Sequence, residues 1–221
     1  MKRISSILTA AVLLVTGSMV AASETGSVGA GIKAGTLGIG AEITYAISPR
    51  LTMGVGINKY SSSTTDTTDG IDYDVDLNLQ TVAVLANFHP FAGSFRITGG
   101  VMINSNELEM TADCSAGCDV GGMNYNSTEV GILKAAVDFK RIAPYAGIGF
   151  GHSASSGLGF TLDIGVLMQG SPNVDLTSTG GSESNNPAFQ AELALEESNA
   201  EDDIDGFTMY PVVSAGINFR F

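Results

Sequence analysis

The 221-residue chain has no tryptophan, two histidines and two cysteines. Its basic residues number ten against 23 acidic ones. So little positive charge excludes nucleic acid as a partner, because phosphate binding needs a basic footprint. Long apolar runs are missing as well. Beyond the first 22 residues, no segment approaches the roughly 18 consecutive apolar residues that a spanning helix requires. With so few histidines and cysteines, a metal site lacks ligands, and no cofactor is expected.

What is present begins at the N-terminus. Lys2 and Arg3 precede an apolar run from Ile7 through Val15. Small residues follow, with Val20 and Ala22 placed for cleavage before Ser23. This pattern predicts a secretory signal peptide over residues 1–22 and a mature domain over 23–221. Glycine is abundant at 28 residues. It sits inside alternating apolar stretches such as "GTLGIGAEITYAI" and "YAGIGFGH". Small residues on one face of a strand suit a crowded barrel interior.

Period-two alternation recurs along the chain and predicts eight strands. They run Val28 to Ala34, Leu37 to Ile47, Leu51 to Tyr60, Asp74 to Phe88, Phe95 to Met110, Pro144 to His152, Leu158 to Gly170, and the C-terminal "MYPVVSAGINFRF". Short breaks at 48–50, 89–93 and 153–157 alternate with long ones at 61–73, 107–141 and 171–208. Strands that cross a bilayer must pair every backbone group, so their sheet must close. An even strand count with short turns on one side and long loops on the other describes an outer-membrane barrel. A lipocalin-like barrel or a β-sandwich also alternates. The signal peptide, the loop asymmetry and the terminal aromatic favour the membrane. The expected fold is therefore an eight-stranded antiparallel transmembrane β-barrel with long extracellular loops, closed by the last strand on the first. The expected place is the bacterial outer membrane, amid lipid and lipopolysaccharide, with the chain monomeric.

The segment "RIAPYAGIGFGHSASSGLGFTLDIGVLMQGSPNVDLTSTG" (141–180) resembles the CarO-type family of outer-membrane proteins. Ile142 to Tyr145, Gly147, Gly149 and Phe150 match its "IAPY-x-G-x-GF" strand. Gly170, Pro172, Val174, Leu176 and Thr177 match its "G-x-P-x-V-x-L-T" exit. "GTLGIGAEITYAISPRLTMGVGINKYS" resembles the family's first hairpin more loosely. The resemblance implies an eight-stranded barrel and a role with small solutes, including cationic amino acids such as ornithine. The matching residues are turn, glycine and girdle positions rather than ligand contacts.

The alternation also assigns a lumen. Lys33, Glu42, Arg96, Asp163 and Arg220 fall on the glycine-bearing faces. Buried charges are costly unless paired, so Glu42 and Asp163 are expected to pair among Lys33, Arg96 and Arg220. Such a network would act as a gate or as a structural plug. Acidic residues concentrate in the outer loops. Asp66, Asp69, Asp72, Asp74 and Asp76 lie in one, and Glu196, Glu197, Glu201, Asp202 and Asp203 in another. Such a rim would draw cations to the mouth, or would simply be a solvated face bridged by divalent ions to lipopolysaccharide. Residues 186–203 carry the one helical signal, with Asn186 as cap, Pro187 in the first turn and fraying expected near Asp202. Cys114 and Cys118 frame a secreted loop and are expected to form a disulfide. Catalysis has one candidate cluster, His152 with Ser153 and Ser155, with no orienting acid, so no enzyme is expected.

Overall fold

The computed structural model describes residues 25–68, 71–114, 117–151 and 157–221. The signal-peptide reading therefore lies outside the described residues. Eight strands close a ring: β1 (Val28–Gly35), β2 (Gly38–Ser48), β3 (Leu51–Thr68), β4 (Ile71–Phe88), β5 (Arg96–Asn104), β10 (Ile142–Phe150), β11 (Gly157–Met168) and β13 (Met209–Arg220). Every neighbour in the ring is antiparallel, and β13 closes on β1 with Ile32 opposite Ile217. The last strand thus has partners on both sides, β1 and β11.

The alternation of these strands is inside-out. Ile32, Ile39, Ile43, Val55, Ile57, Ile148, Phe160, Leu162 and Ile217 are exposed on the outer surface. Between them, Gly29, Gly40, Thr98, Thr161, Asn218 and Arg220 are buried inside. Water would penalise so much bare apolar area, whereas hydrocarbon welcomes it. Phe219 and Phe221 stack edge to face on this outer side, centroids 5.0 Å apart.

Much of the expected long loops is regular structure. The hydroxyl-rich stretch 61–68 continues β3 as a strand, and β4 begins already at Ile71. This corrects the loop expected over 61–73. The run lacks apolar alternation, yet its backbone pairs residue by residue with β4, from Tyr60 opposite Leu79 to Thr68 opposite Ile71. The strand expected over Phe95 to Met110 is also broken. β5 stops at Asn104, and β6 (Glu107–Asp113) leaves the ring to pair higher on β4, with Leu108 opposite Leu77. The small hairpin of β7 (Cys118–Val120) and β8 (Met123–Tyr125) follows. A short helix, α1 (Ser127–Val130), leads into β9 (Gly131–Asp138), which pairs with β6. β12 (Asn173–Gly180) pairs with β9 and ends the sheet. Above the barrel, the order is β12–β9–β6–β4–β3.

Helix α2 (Pro187–Asp203) packs against this external sheet rather than lying as a spacer. Asn186 caps it, accepting from Ala188 N–H at 2.9 Å. The helix runs past Asp202 to Asp203, and Ile204 N–H donates to the Ala200 carbonyl at 3.2 Å. Phe189 and Leu193 enter a closed core with Ala112, Val120, Val130 and the two cysteines. The external strands and α2 therefore make a folded unit with its own interior.

Candidate functional site

The lumen is built from the inward faces. Lys33 and Glu42 meet at 3.0 Å across the β1–β2 hairpin. Their cross-strand partners, Gly40 and Gly31, are both glycines, and on the other strand flanking Lys33 a Cβ at Gly216 would sit 2.9 Å from the Lys33 Cβ. Arg96 reaches over β10 to Asp163, its Nη2 donating to both carboxylate oxygens at 2.6 and 2.8 Å. Its Nη1 donates to the Gly151 carbonyl at 2.8 Å. The bridge passes over Gly149, which pairs with Arg96 on one side and Asp163 on the other. A Cβ there would sit 2.3 Å from Asp163 Oδ1 and 2.6 Å from Arg96 Nε. Only glycine leaves that gap.

Arg220 is 3% exposed, on the inward face near the short-turn end, with Gly29 and Gly157 as its cross-strand partners. It joins neither carboxylate pair, so the two acids take Lys33 and Arg96. Arg220 and Arg96 both bear on His89, in the turn after β4. Burial pushes the His89 imidazole below its ordinary range, and the charges of Arg96 and Arg220 add to this. Its bond with the Gly93 carbonyl, 2.9 Å long, pulls the other way.

Toward the long-loop end, the interior turns apolar. Leu37, Ala83, Met102, Ala143, Tyr145, Leu167 and Val212 pack together across it. The Tyr145 ring lies over Gly147 and Gly165, and its hydroxyl would meet a Cβ at Gly165 at 2.4 Å. Between this plug and the ion pairs lies a cavity of about 40 Å³. Lys33, Glu42, Arg96, Asp163, Met102 and Tyr145 are among its lining residues. That space holds about three waters, at roughly 10–15 Å³ each, and no amino acid.

Asp74 and Asp76 do not face this lumen. The pleat of β4 turns Asp74 and Asp76 to the same side as Val84 and Phe88, away from the axis. Thr65 Oγ1 donates to Asp74 at 2.7 Å and Ser63 Oγ donates to Asp76. The side chains of Asp66 and Asp72, and the whole of Asp69, lie outside the described residues, as do His152, Ser153 and Ser155. On α2, Glu196, Asp202 and Asp203 are exposed. Glu197 and Glu201 are not free rim charges. Leu176 N–H donates to Glu197 Oε1 at 2.7 Å, and Val174 N–H donates to Glu201 Oε1 at 3.0 Å. These carboxylates satisfy the outer margin of β12. Their signal was legible: 189, 193, 197 and 201 form one i, i+4 row that begins apolar and ends acidic.

Cys114 and Cys118 form a disulfide, with Cα atoms 5.2 Å apart, inside the external core. Beside it, Tyr125 packs edge to face on Phe189 and its hydroxyl donates to Glu192. That bond, with the surrounding glutamates, pushes the Tyr125 hydroxyl up to about 12.

Known proteins of this architecture exist. Acinetobacter baumannii CarO2 aligns over 90% of this chain and all of its own, at 24% identity and a TM-score of 0.57. CarO from the same organism aligns over 87% of this chain and 97% of its own, at 24% identity and a TM-score of 0.55. No family model matches the chain, and no curated protein matches it. The likeness establishes an outer-membrane-type barrel fold, as the motifs in 141–180 imply.

Proposed function

We propose that the chain is an outer-membrane barrel that keeps its lumen shut at rest and acts through the folded unit it displays outside the cell. The observation that carries this is the lumen itself. Two ion pairs and an apolar plug leave about 40 Å³, too little for any solute larger than a few waters. Eight strands give an interior that side chains can fill, and here they fill it. The external unit, by contrast, has a disulfide, a core and a covered margin, all of which serve a fixed shape. Its acidic outward face rises from the lipid-facing side of β4, where divalent cations would bridge it to lipopolysaccharide phosphates. Planar-bilayer recording tests the reading. Folded protein should give no steady current in wild type, and a cation-selective current would overturn it.

A second reading has its own observation. The ion pairs line the cavity directly, so breaking one would join it to the short-turn end. That suits gated passage of small cationic solutes, the class that includes ornithine. Arg96→Ala should then open a current that wild type lacks. Silence in Arg96→Ala and in Glu42→Ala alike would remove the gate.

A further inference from the structure

The external sheet ends on two margins, and they are finished differently. At β12 the outward N–H groups of Val174 and Leu176 are taken up by Glu201 and Glu197 of α2. At β3, among the described residues, nothing comparable occurs. Its pairing with β2 stops at Ile39 opposite Lys59. Above that, among the described residues, no strand pairs with its second side. Tyr60 through Thr65 are all exposed, and the strand runs on to Thr68.

The direction of the backbone groups follows from the base of the same strand. The Arg50 carbonyl accepts from His89 N–H at 2.8 Å, across the β3–β4 pair. The β3–β4 register is unbroken to Thr68. Even-numbered residues therefore bond toward β4, and the odd ones turn the other way. Ser61, Ser63, Thr65 and Thr67 present their N–H and C=O groups to the open side. The stretch has no proline, lysine or bulge, the devices that normally blunt an edge.

Charge selects what fits there. On the outward face, Asp76 sits directly opposite Glu109, and Glu107 directly opposite Asp138. Asp74 and Asp175 lie on the same face, with Lys134 the one cation in those rows among the described residues. Like charges placed opposite one another are destabilising, and an approaching cation relieves them. A second copy of this chain would bring another acidic face instead.

We propose that the open margin of β3, Ser61 to Thr67, docks an extended basic segment of another protein, which adds as a further strand of the external sheet. The inference deepens the display reading and rests on it for the side of the membrane. The two fail separately: an open pore would leave the docking result standing, and an undocked segment would leave the conductance result standing.

The test uses the full folded protein in lipid nanodiscs and a labelled peptide of roughly nine residues alternating Lys and Thr, long enough to span the margin. Fluorescence anisotropy should show binding that weakens as salt rises. Ser61→Pro replaces an N–H on the open side and leaves the β4 ladder intact; it should weaken binding at least about tenfold. Asp74→Asn with Asp76→Asn should weaken it and flatten the salt dependence. Hydrogen exchange on wild type supplies a readout that needs no variant: the amides of Ser61, Ser63 and Thr65 should gain protection when peptide is added. Equal binding by wild type and Ser61→Pro, or no protection of those amides, overturns the proposal. So does a concentration-dependent dimer that Ser61→Pro abolishes, which would give the margin to a second copy.

Discussion

The two halves of β4 obey opposite rules. Below Gln80, at Val82 and Val84, the even positions are apolar and face outward, while Thr81, Ala83 and Asn87 face the lumen. Above it, the even positions are Asp74, Asp76 and Asn78, and the odd ones, Tyr73, Val75 and Leu77, turn inward. One strand, with unbroken pairing, reverses which face is apolar. The reversal marks where hydrocarbon gives way to water. The barrel is stabilised by a solvent that accepts an apolar outside, and the external unit by an apolar inside of its own. Their edges differ in the same way. The barrel removes edges by closure, whereas the external sheet keeps two and covers one.

The largest expected effect separates the two interiors. Phe189 is 1% exposed in the external core and touches nothing in the barrel core. Phe189→Ala should cost about 3–5 kcal/mol. Only the external unit should feel it: limited proteolysis should cut within 107–138 and 171–208, while the barrel still resists SDS until heated. If the barrel loosened with it, the two would be one cooperative body and the comparison would fail.

The next effect tests the reversal within β4. Val84→Arg, on the lipid side, should cost about 2–4 kcal/mol in bilayer unfolding measurements. Asp76→Arg, on the same face but above the switch, should change stability by less than about 0.5 kcal/mol, since it loses a surface bond and gains Glu109 as a partner. Equal costs at the two positions would move the boundary away from Gln80.

This reversal also explains how far the sequence could be read. The eight ring strands were legible because lipid demands strict alternation, and the helix because Asn186 and Pro187 announce it. β6, β9 and β12 alternate too, as in Val174 and Leu176 against Asp175 and Thr177. Long loops, however, are the rule outside a barrel, so that alternation reads as loop. The upper half of β3 carried no signal at all. A run of Ser and Thr exposed on both faces is a strand only because β4 supplies the core side chains beside it. In the lumen, alternation names the five charged residues but leaves open which base each acid takes; the β1–β2 register brings Lys33 to Glu42. The reach of Arg96 over β10 depends on Gly149, a contact between strands distant in sequence.

That reach gives a smaller effect, confined to the barrel. Gly149→Ala inserts a methyl between Arg96 and Asp163 and should cost about 1–3 kcal/mol through overpacking. Thermal unfolding of the barrel should register it, and proteolysis of the external unit should not. Under gated passage, the same variant should also raise conductance.

The smallest effect lies in the external unit and is visible only in alkali. The Tyr125 hydroxyl is held up to about 12, first by its bond to Glu192 and then by nearby glutamates. The folded unit therefore binds that proton more tightly than the unfolded chain, whose tyrosine titrates near 10. The sign follows from linkage: the contribution is fully present below about pH 10 and is lost as pH rises through about 12. Between those values the external unit should become protease-sensitive while the lipid-held barrel does not. Tyrosinate absorbance should show one late-titrating group, and Tyr125→Phe should remove both that group and the alkaline step. A step that persists in Tyr125→Phe would assign the alkaline weakness to another residue and leave the Tyr125–Glu192 bond without a part in it.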